Sequence, residues 1–212
     1  MQDTESIYTV VQQQICKRFG KEFTWELKAK MMGRKALPAA EALIEELQLQ
    51  GRISAEEFVK EREQLLHNKF PHCQLMPGAQ RLIEHLKKHK IPICVATSSH
   101  ARHTELKTSK HRGLFSSFDH ILTGDVVANG KPAPDIFLVA AKQWNPAPQP
   151  AQCLVFEDAP LGVEAGLAAG MQVVMVPDPN LKYPENSQPT QVLRSLQDFD
   201  PDRFGLPGYA PE

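Results

Sequence analysis

Three polar segments after residue 90 carry residue types that suit phosphate chemistry. Thr97 and Ser98 follow an apolar run and precede a predicted helix, so their hydroxyls and backbone N–H groups can hold an anion. Lys131 lies in a Gly-Lys-Pro-Ala-Pro-Asp segment whose two prolines restrict the loop, and a fixed ammonium group stabilises charge in phosphoryl transfer. Glu157 and Asp158 follow another apolar run, and carboxylates are ligands that Mg²⁺ prefers. Together the segments predict a phosphate site with Mg²⁺ as cofactor.

Each segment taken alone also has a purely structural explanation. Ser, Thr and Asp are common N-caps of helices, and a single loop lysine is most often a solvated charge. Position favours the functional interpretation, because the segments follow, or lie between, predicted strands of one open sheet. Ligands of such sheets bind beyond the carboxyl ends of the strands.

The elements that position these segments are predicted from apolar runs that alternate with helical patterns. Four continuous apolar runs indicate parallel strands buried on both faces, at residues 91–96, 121–123, 154–156 and 173–176. Helices are predicted at 79–89 and at 160–171, the second rich in Gly and Ala and therefore suited to close packing on the sheet. An apolar stretch at 192–196 is expected to pack back on this core.

The N-terminal third of the sequence predicts helices only. Apolar residues at three- and four-residue spacing favour a helix from residue 4 to 19, capped by Asp3 or Thr4, and shorter helices at 24–32, 37–49 and 54–70. Ser54 and Glu57 have the spacing of a capping box. The predicted organisation is a helical domain at 4–72, an α/β core at 76–204 and a tail at 205–212.

Composition limits the partners. The 24 Lys and Arg against 25 Asp and Glu give a net charge of −1, which disfavours binding to a nucleic acid polymer or an anionic membrane. The four cysteines form no CxxC pair, and no apolar run is long enough to span a bilayer. We therefore expect a cytoplasmic protein, a monomer, whose partner is a small metabolite.

Three features of the sequence resemble, in order and spacing, motifs two, three and four of the haloacid dehalogenase superfamily of phosphatases. They are the Thr97-Ser98 hydroxyl pair, the loop of Lys131, and the Glu157-Asp158 pair followed by a Gly/Ala-rich helix. One nucleotide phosphatase of that superfamily is similar along roughly residues 3 to 209. The resemblance implies an α/β fold, a Rossmann-like parallel sheet with a four-helix cap, and hydrolysis of a phosphorylated small metabolite.

The resemblance also implies roles for individual residues. Thr97 and the Ser98 N–H would hold the transferring phosphoryl group, and Lys131 would bridge that group and the nucleophile. Glu157 and Asp158 would bind Mg²⁺ directly or through water. The cap's substrate-specificity loop, which would face the leaving group, is matched by Gly33, Arg34 and Lys35.

The sequence departs from the superfamily at motif one, an Asp-x-Asp that ends the first, central strand. Its first aspartate is the nucleophile, and its second protonates the leaving oxygen. Relatives carry that motif a few residues before the position matched by Asp3, whereas this sequence starts at Met1. Asp3 is not a substitute, because no apolar strand precedes it. We expect a truncated form without this strand, inactive or very weakly active.

Other functions remain alternatives at this point. Within the superfamily these are a sugar-phosphate phosphatase or a phosphomutase, which differ in cap residues. Outside it, the chain could be a non-catalytic form that binds phosphate or regulates another protein. A nicotinamide-dependent oxidoreductase is disfavoured, because no Gly-x-Gly-x-x-Gly follows any predicted strand.

Overall fold

The computed structural model describes residues 2–31, 36–181 and 188–210. The chain divides into two compact units, one spanning residues 2–74 and the other beginning at Leu75. Within those described ranges, no helix is long and apolar enough to cross a membrane.

The first unit is helical, and its four helices lie close to their predicted positions: α1 Glu5–Arg18, α2 Trp25–Met31, α3 Ala36–Glu46 and α4 Ala55–Lys69. Leu43, Phe58 and Leu66 are fully buried at the centre of this unit, because the apolar faces of α3 and α4 pack together. The capping box is confirmed, since the Ser54 hydroxyl accepts a hydrogen bond from the Glu57 N–H and the Glu57 carboxylate accepts one from the Ser54 N–H.

The second unit alternates strands and helices. Its strands are β1 Cys94–Ala96, β2 His120–Leu122, β3 Leu154–Glu157, β4 Gln172–Met175 and β5 Gln191–Val192. Its helices are α5 Ala79–Lys88, α6 Ala101–Thr108, α7 Arg112–Phe115, α8 Asp135–Ala141 and α9 Pro160–Ala168. All strand pairings are parallel, as the continuous apolar runs predict.

Two strand predictions need correction, and one further strand was not predicted. β1 begins at Cys94 instead of residue 91, because the Ile91 N–H closes the end of α5 on the Leu86 carbonyl, at 2.9 Å. β3 includes Glu157, which pairs in register with Met175, so this carboxylate belongs to the strand and does not follow it. β5, a short strand beside β4, was not predicted as a strand.

The strands form two sheets, a pair in the order β1-β2 and a triplet in the order β3-β4-β5. Within the described parts of the chain, β1 is hydrogen-bonded to β2 alone, and β3 to β4 alone. The same two apolar layers nevertheless cover both sheets. One layer contains Leu122 together with Val155, and the other contains Ile93 together with Val174. The two sheets therefore share both apolar layers, and among the described residues β1 and β3 each have one unpaired edge.

Candidate active site

The segment after β1 is a tight loop whose hydrogen bonds leave one amide available. The Thr97 N–H donates to the Leu122 carbonyl at 3.0 Å, and the Ser99 N–H donates to Thr97 Oγ1 at 3.1 Å. Ser98, between them, is exposed, and its N–H has no partner among the residues that the structure describes. The loop thus presents the Ser98 N–H and the Thr97 hydroxyl hydrogen as donors for an anion.

Gly124 fixes the position of this loop from the side of β2. A Cβ at Gly124 would lie 2.5 Å from the Ser98 carbonyl oxygen, which no side chain can tolerate. The Gly124 N–H donates to the Ser99 carbonyl at 2.9 Å. Because the close neighbour is backbone, a larger residue would have to displace the loop itself.

At the start of α6, the Ala101 amide is not available to an external anion. Asp125 lies there instead, and its Oδ2 accepts hydrogen bonds from the Ala101 N–H at 2.6 Å and the Thr123 hydroxyl at 3.1 Å. His100 contacts Asp125 Oδ1 through its Nδ1. The hydrogen bond to His100, followed by that to Ala101, lowers the pKa of the Asp125 carboxyl. A carboxylate of the protein therefore already occupies this helix N-terminus.

Lys131 contacts the ends of β1 and β3, which belong to different sheets. Its Nζ donates to the carbonyl of Ala96, the last residue of β1, at 3.2 Å, and it forms an ion pair with Glu157 at the end of β3. The ammonium also lies 4.6 Å from the centre of the Phe137 ring. Only 12% of the Lys131 side chain is exposed. The loop lysine is therefore a partly buried cation at a defined position, unlike a solvated surface charge.

Glu157 owes its position to the glycine-rich start of α9. A Cβ at Gly162 would lie 2.1 Å from the Glu157 Cδ atom, so only glycine leaves room for this carboxylate. Burial raises the pKa of the Glu157 carboxyl, the charge of Lys131 lowers it, and the charge of Asp158 raises it. Burial prevails, so the carboxylate depends on a neighbouring cation to remain ionised.

The carboxylates of Glu157 and Asp158 fit Mg²⁺ by their chemistry, since proteins bind this ion through one or two carboxylates together with water and substrate phosphate. Asp158 is exposed beside Glu157, whose side chain is only 10% exposed. In the described ranges, no cluster of three or more His, Cys, Asp or Glu side chains is placed to hold a metal. Two protein ligands alone predict weak Mg²⁺ binding.

The structure brings Lys131 and Glu157 together at the end of β1, where Thr97 and Ser98 follow. Gly33, Arg34 and Lys35, the predicted specificity loop, lie outside the described residues. Sequence reasoning missed Lys107, a buried lysine of α6 whose Nζ donates to Ser99 Oγ at 2.9 Å. The available signal was that Lys107 and the buried Thr104 lie three residues apart and therefore share one face of α6. This signal was weak because both residues are polar.

A lysine, two adjacent carboxylates and a free amide at the ends of parallel strands form a candidate site for phosphoryl groups. The family model of haloacid dehalogenase-like hydrolases matches residues 4–170, and the chain belongs to this family. The chain is 52% identical over 210 residues to (DL)-glycerol-3-phosphatase 2 of Arabidopsis thaliana, covering 98% of this chain and 88% of that protein. It therefore belongs among the phosphatases of the family.

Two further comparisons extend this result. A probable pseudouridine-5'-phosphatase of Drosophila melanogaster is 49% identical over 210 residues, which covers 98% of this chain and 90% of that protein. A HAD family hydrolase of Deinococcus radiodurans R1, solved with bound phosphate and sodium, superposes with a TM-score of 0.80 at 23% identity, covering 98% of this chain and 93% of the other. The family and the α/β fold predicted from sequence are confirmed.

Proposed function

We propose that the site serves Mg²⁺-dependent hydrolysis of phosphomonoesters and that its substrate is pseudouridine 5'-phosphate. The observation that carries the proposal is the bridge made by Lys131 between the Ala96 carbonyl and the Glu157 carboxylate. Through this bridge a cation contacts both the last residue of β1, which precedes Thr97 and Ser98, and Glu157, a predicted metal ligand. Supporting the substrate is the 49% identity to a probable pseudouridine-5'-phosphatase.

In this proposal each residue has a separate task. The Ser98 N–H and the Thr97 hydroxyl donate to oxygens of the phosphoryl group, and Lys131 neutralises charge that develops on them. Glu157 and Asp158 hold Mg²⁺, which when bound supplies further positive charge to the phosphoryl oxygens. The superfamily resemblance assigns substrate specificity to Gly33, Arg34 and Lys35, which lie outside the described residues.

We further propose that a polypeptide of these 212 residues turns over phosphomonoesters very slowly or not at all. The superfamily resemblance assigns the nucleophile and the general acid to a central strand ending in Asp-x-Asp, which this sequence does not contain before Asp3. Among the described residues, β1 and β3 each pair with one strand, so each has an edge to which a further strand could be added. Without the aspartates the remaining groups bind phosphate but cannot form the covalent intermediate.

A second substrate, glycerol 3-phosphate, is favoured by the 52% identity to a glycerol-3-phosphatase. Both candidates are phosphomonoesters of hydroxylated metabolites, and the core residues of the site do not distinguish them. The expectation of a cytoplasmic monomer acting on a small metabolite, and not on a nucleic acid polymer or a membrane, belongs to the same proposal.

The substrate is tested with a variant that carries an added N-terminal strand ending in Asp-x-Asp. Phosphate release is measured with Mg²⁺ from pseudouridine 5'-phosphate and from glycerol 3-phosphate, and the matched control has Asn at both added aspartates. We expect kcat/KM for the nucleotide to exceed that for glycerol 3-phosphate by about tenfold or more, or about 1.4 kcal/mol in transition-state binding. The reverse order would assign the site to glycerol 3-phosphate.

A further inference from the structure

Lys107 is a buried cation directly behind the loop that follows β1. Its residue exposure is 8%, although lysine is one of the residue types least often buried. The ammonium donates to Ser99 Oγ at 2.9 Å. Since moving an ammonium group out of water costs free energy, its retention beside this loop calls for an explanation.

The neighbouring sources of positive charge are already matched by carboxylates of the protein. The N-terminus of α6 holds Asp125 through the Ala101 N–H, and Lys131 is paired with Glu157. A bound phosphoryl group carries up to two negative charges, and hydrogen bonds from cationic groups stabilise it. Lys107 is a further cation that contacts the loop itself.

The hydrogen bonds of Ser99 link Lys107 to the segment that carries the predicted phosphate donors, the Thr97 hydroxyl and the Ser98 N–H. The Ser99 N–H donates to Thr97 Oγ1 at 3.1 Å, and the Ser99 carbonyl accepts from the Gly124 N–H at 2.9 Å. The contact of Lys107 with the Ser99 hydroxyl adds a third point of attachment. With Ser99 held at three atoms, the Ser98 N–H between Thr97 and Ser99 has a restricted direction.

We propose that Lys107 is a positioning residue for the phosphoryl group, acting through Ser99 on the loop that carries the Ser98 amide. The inference rests on the proposed function, because it takes a phosphoryl group as the ligand of this loop. It adds to that function a residue outside the three motif segments.

The test is binding of inorganic phosphate to the 212-residue chain, followed by isothermal calorimetry, with folding checked by circular dichroism. Lys107→Met should weaken phosphate binding about tenfold, whereas Lys107→Arg, which keeps the charge and a donor, should stay within about threefold. The matched control is Lys110→Met, which removes an exposed lysine two residues beyond α6 and should leave the affinity unchanged.

A double-mutant cycle separates positioning from a merely structural role. Ser99→Ala should weaken binding about fivefold, and the double variant should bind no more weakly than Lys107→Met alone, because both changes release the same loop. Three results would overturn the inference. The first is that the losses of phosphate affinity in the two single variants multiply in the double variant. The others are a Lys107→Met affinity within twofold of the parent despite a lower melting temperature, and a parent chain that does not bind phosphate.

This outcome is separate from that of the proposed function. If phosphate binding depends on Lys107 but the strand-extended variant hydrolyses neither substrate, the inference stands and the enzymatic proposal fails. If the extended variant is active and its turnover is insensitive to Lys107→Met, the enzymatic proposal stands and the inference fails.

Discussion

Strands β4 and β1 come from similar apolar runs but have different environments. Val173, Val174 and Met175 of β4 are fully buried, because β4 pairs with β3 on one side and β5 on the other. Every residue of β1, Cys94–Ala96, stays partly exposed, and β1 pairs with β2. Continuous apolar runs are typical of strands buried on both faces. In the part of the chain that the structure describes, the candidate site lies where strand pairing is interrupted between β1 and β3.

The largest effect on stability is expected for Lys131, which contacts the ends of both β1 and β3. Lys131→Met removes the cation that faces the buried Glu157 carboxylate, and breaking a buried ion pair from one side costs about 3 kcal/mol. We expect the free energy of unfolding, measured with urea at neutral pH in the presence of a chelator, to fall by that amount. Lys142→Met, which removes an exposed lysine, is the control.

The same variant has a defined pH dependence. Burial raises the pKa of Glu157 in the folded chain above its unfolded value, so the folded state takes up the proton more readily. Stability therefore falls as the pH rises through the raised pKa, and loss of Lys131 strengthens this trend. The deficit of Lys131→Met should shrink as the pH is lowered, and a deficit that grows toward acid pH would contradict this.

The next largest effect on stability is expected for truncation of a side chain in β4, compared with the same truncation in β1. Val173→Ala removes two methyl groups from a fully buried site in β4 and should cost about 2 kcal/mol of unfolding free energy. Val95→Ala, in the partly exposed β1, should cost less than about 1 kcal/mol. Equal losses in denaturant titrations would mean that β1 is as tightly packed as β4.

The stability effect expected at Gly162 is smaller than those at Lys131 and Val173, although its effect on the site is large. The Cβ of Gly162→Ala displaces the end of the Glu157 side chain, which can move, so the unfolding free energy should change by only about 1 kcal/mol. Mg²⁺ binding, followed by calorimetry, should become undetectable. Gly113→Ala, where a Cβ meets no atom within 4 Å, is the control, and unchanged Mg²⁺ binding in Gly162→Ala would exclude Glu157 as a ligand.

Sequence patterns predicted the elements well because these depend on local information. The capping box of Ser54 and Glu57, the apolar runs and the Gly/Ala-rich α9 each specify one element through its own side chains. The start of β1 was misjudged because the loop through Ile91 is as apolar as the strand. Apolarity alone cannot separate the two.

The candidate site was only partly predictable because it depends on contacts between distant segments. The spacing of the motifs indicated Lys131 and Glu157, but not that one lysine would join the ends of two strands. Asp125 at the start of α6 and the buried Lys107 were missed, since both act through tertiary contacts. A sequence that places a carboxylate in a loop does not show which helix it caps.

The main proposal is that these residues form a phosphatase site and that a polypeptide of these 212 residues turns over slowly because it does not contain the Asp-x-Asp motif of the superfamily before Asp3. The most direct measurement is phosphate release from pseudouridine 5'-phosphate with Mg²⁺, for the 212-residue polypeptide and for the variant extended by a strand ending in Asp-x-Asp. A nucleophile and a general acid together contribute more than about 10³-fold, so we predict at least that difference in turnover. Turnover by the 212-residue polypeptide within tenfold of the extended variant would contradict the account.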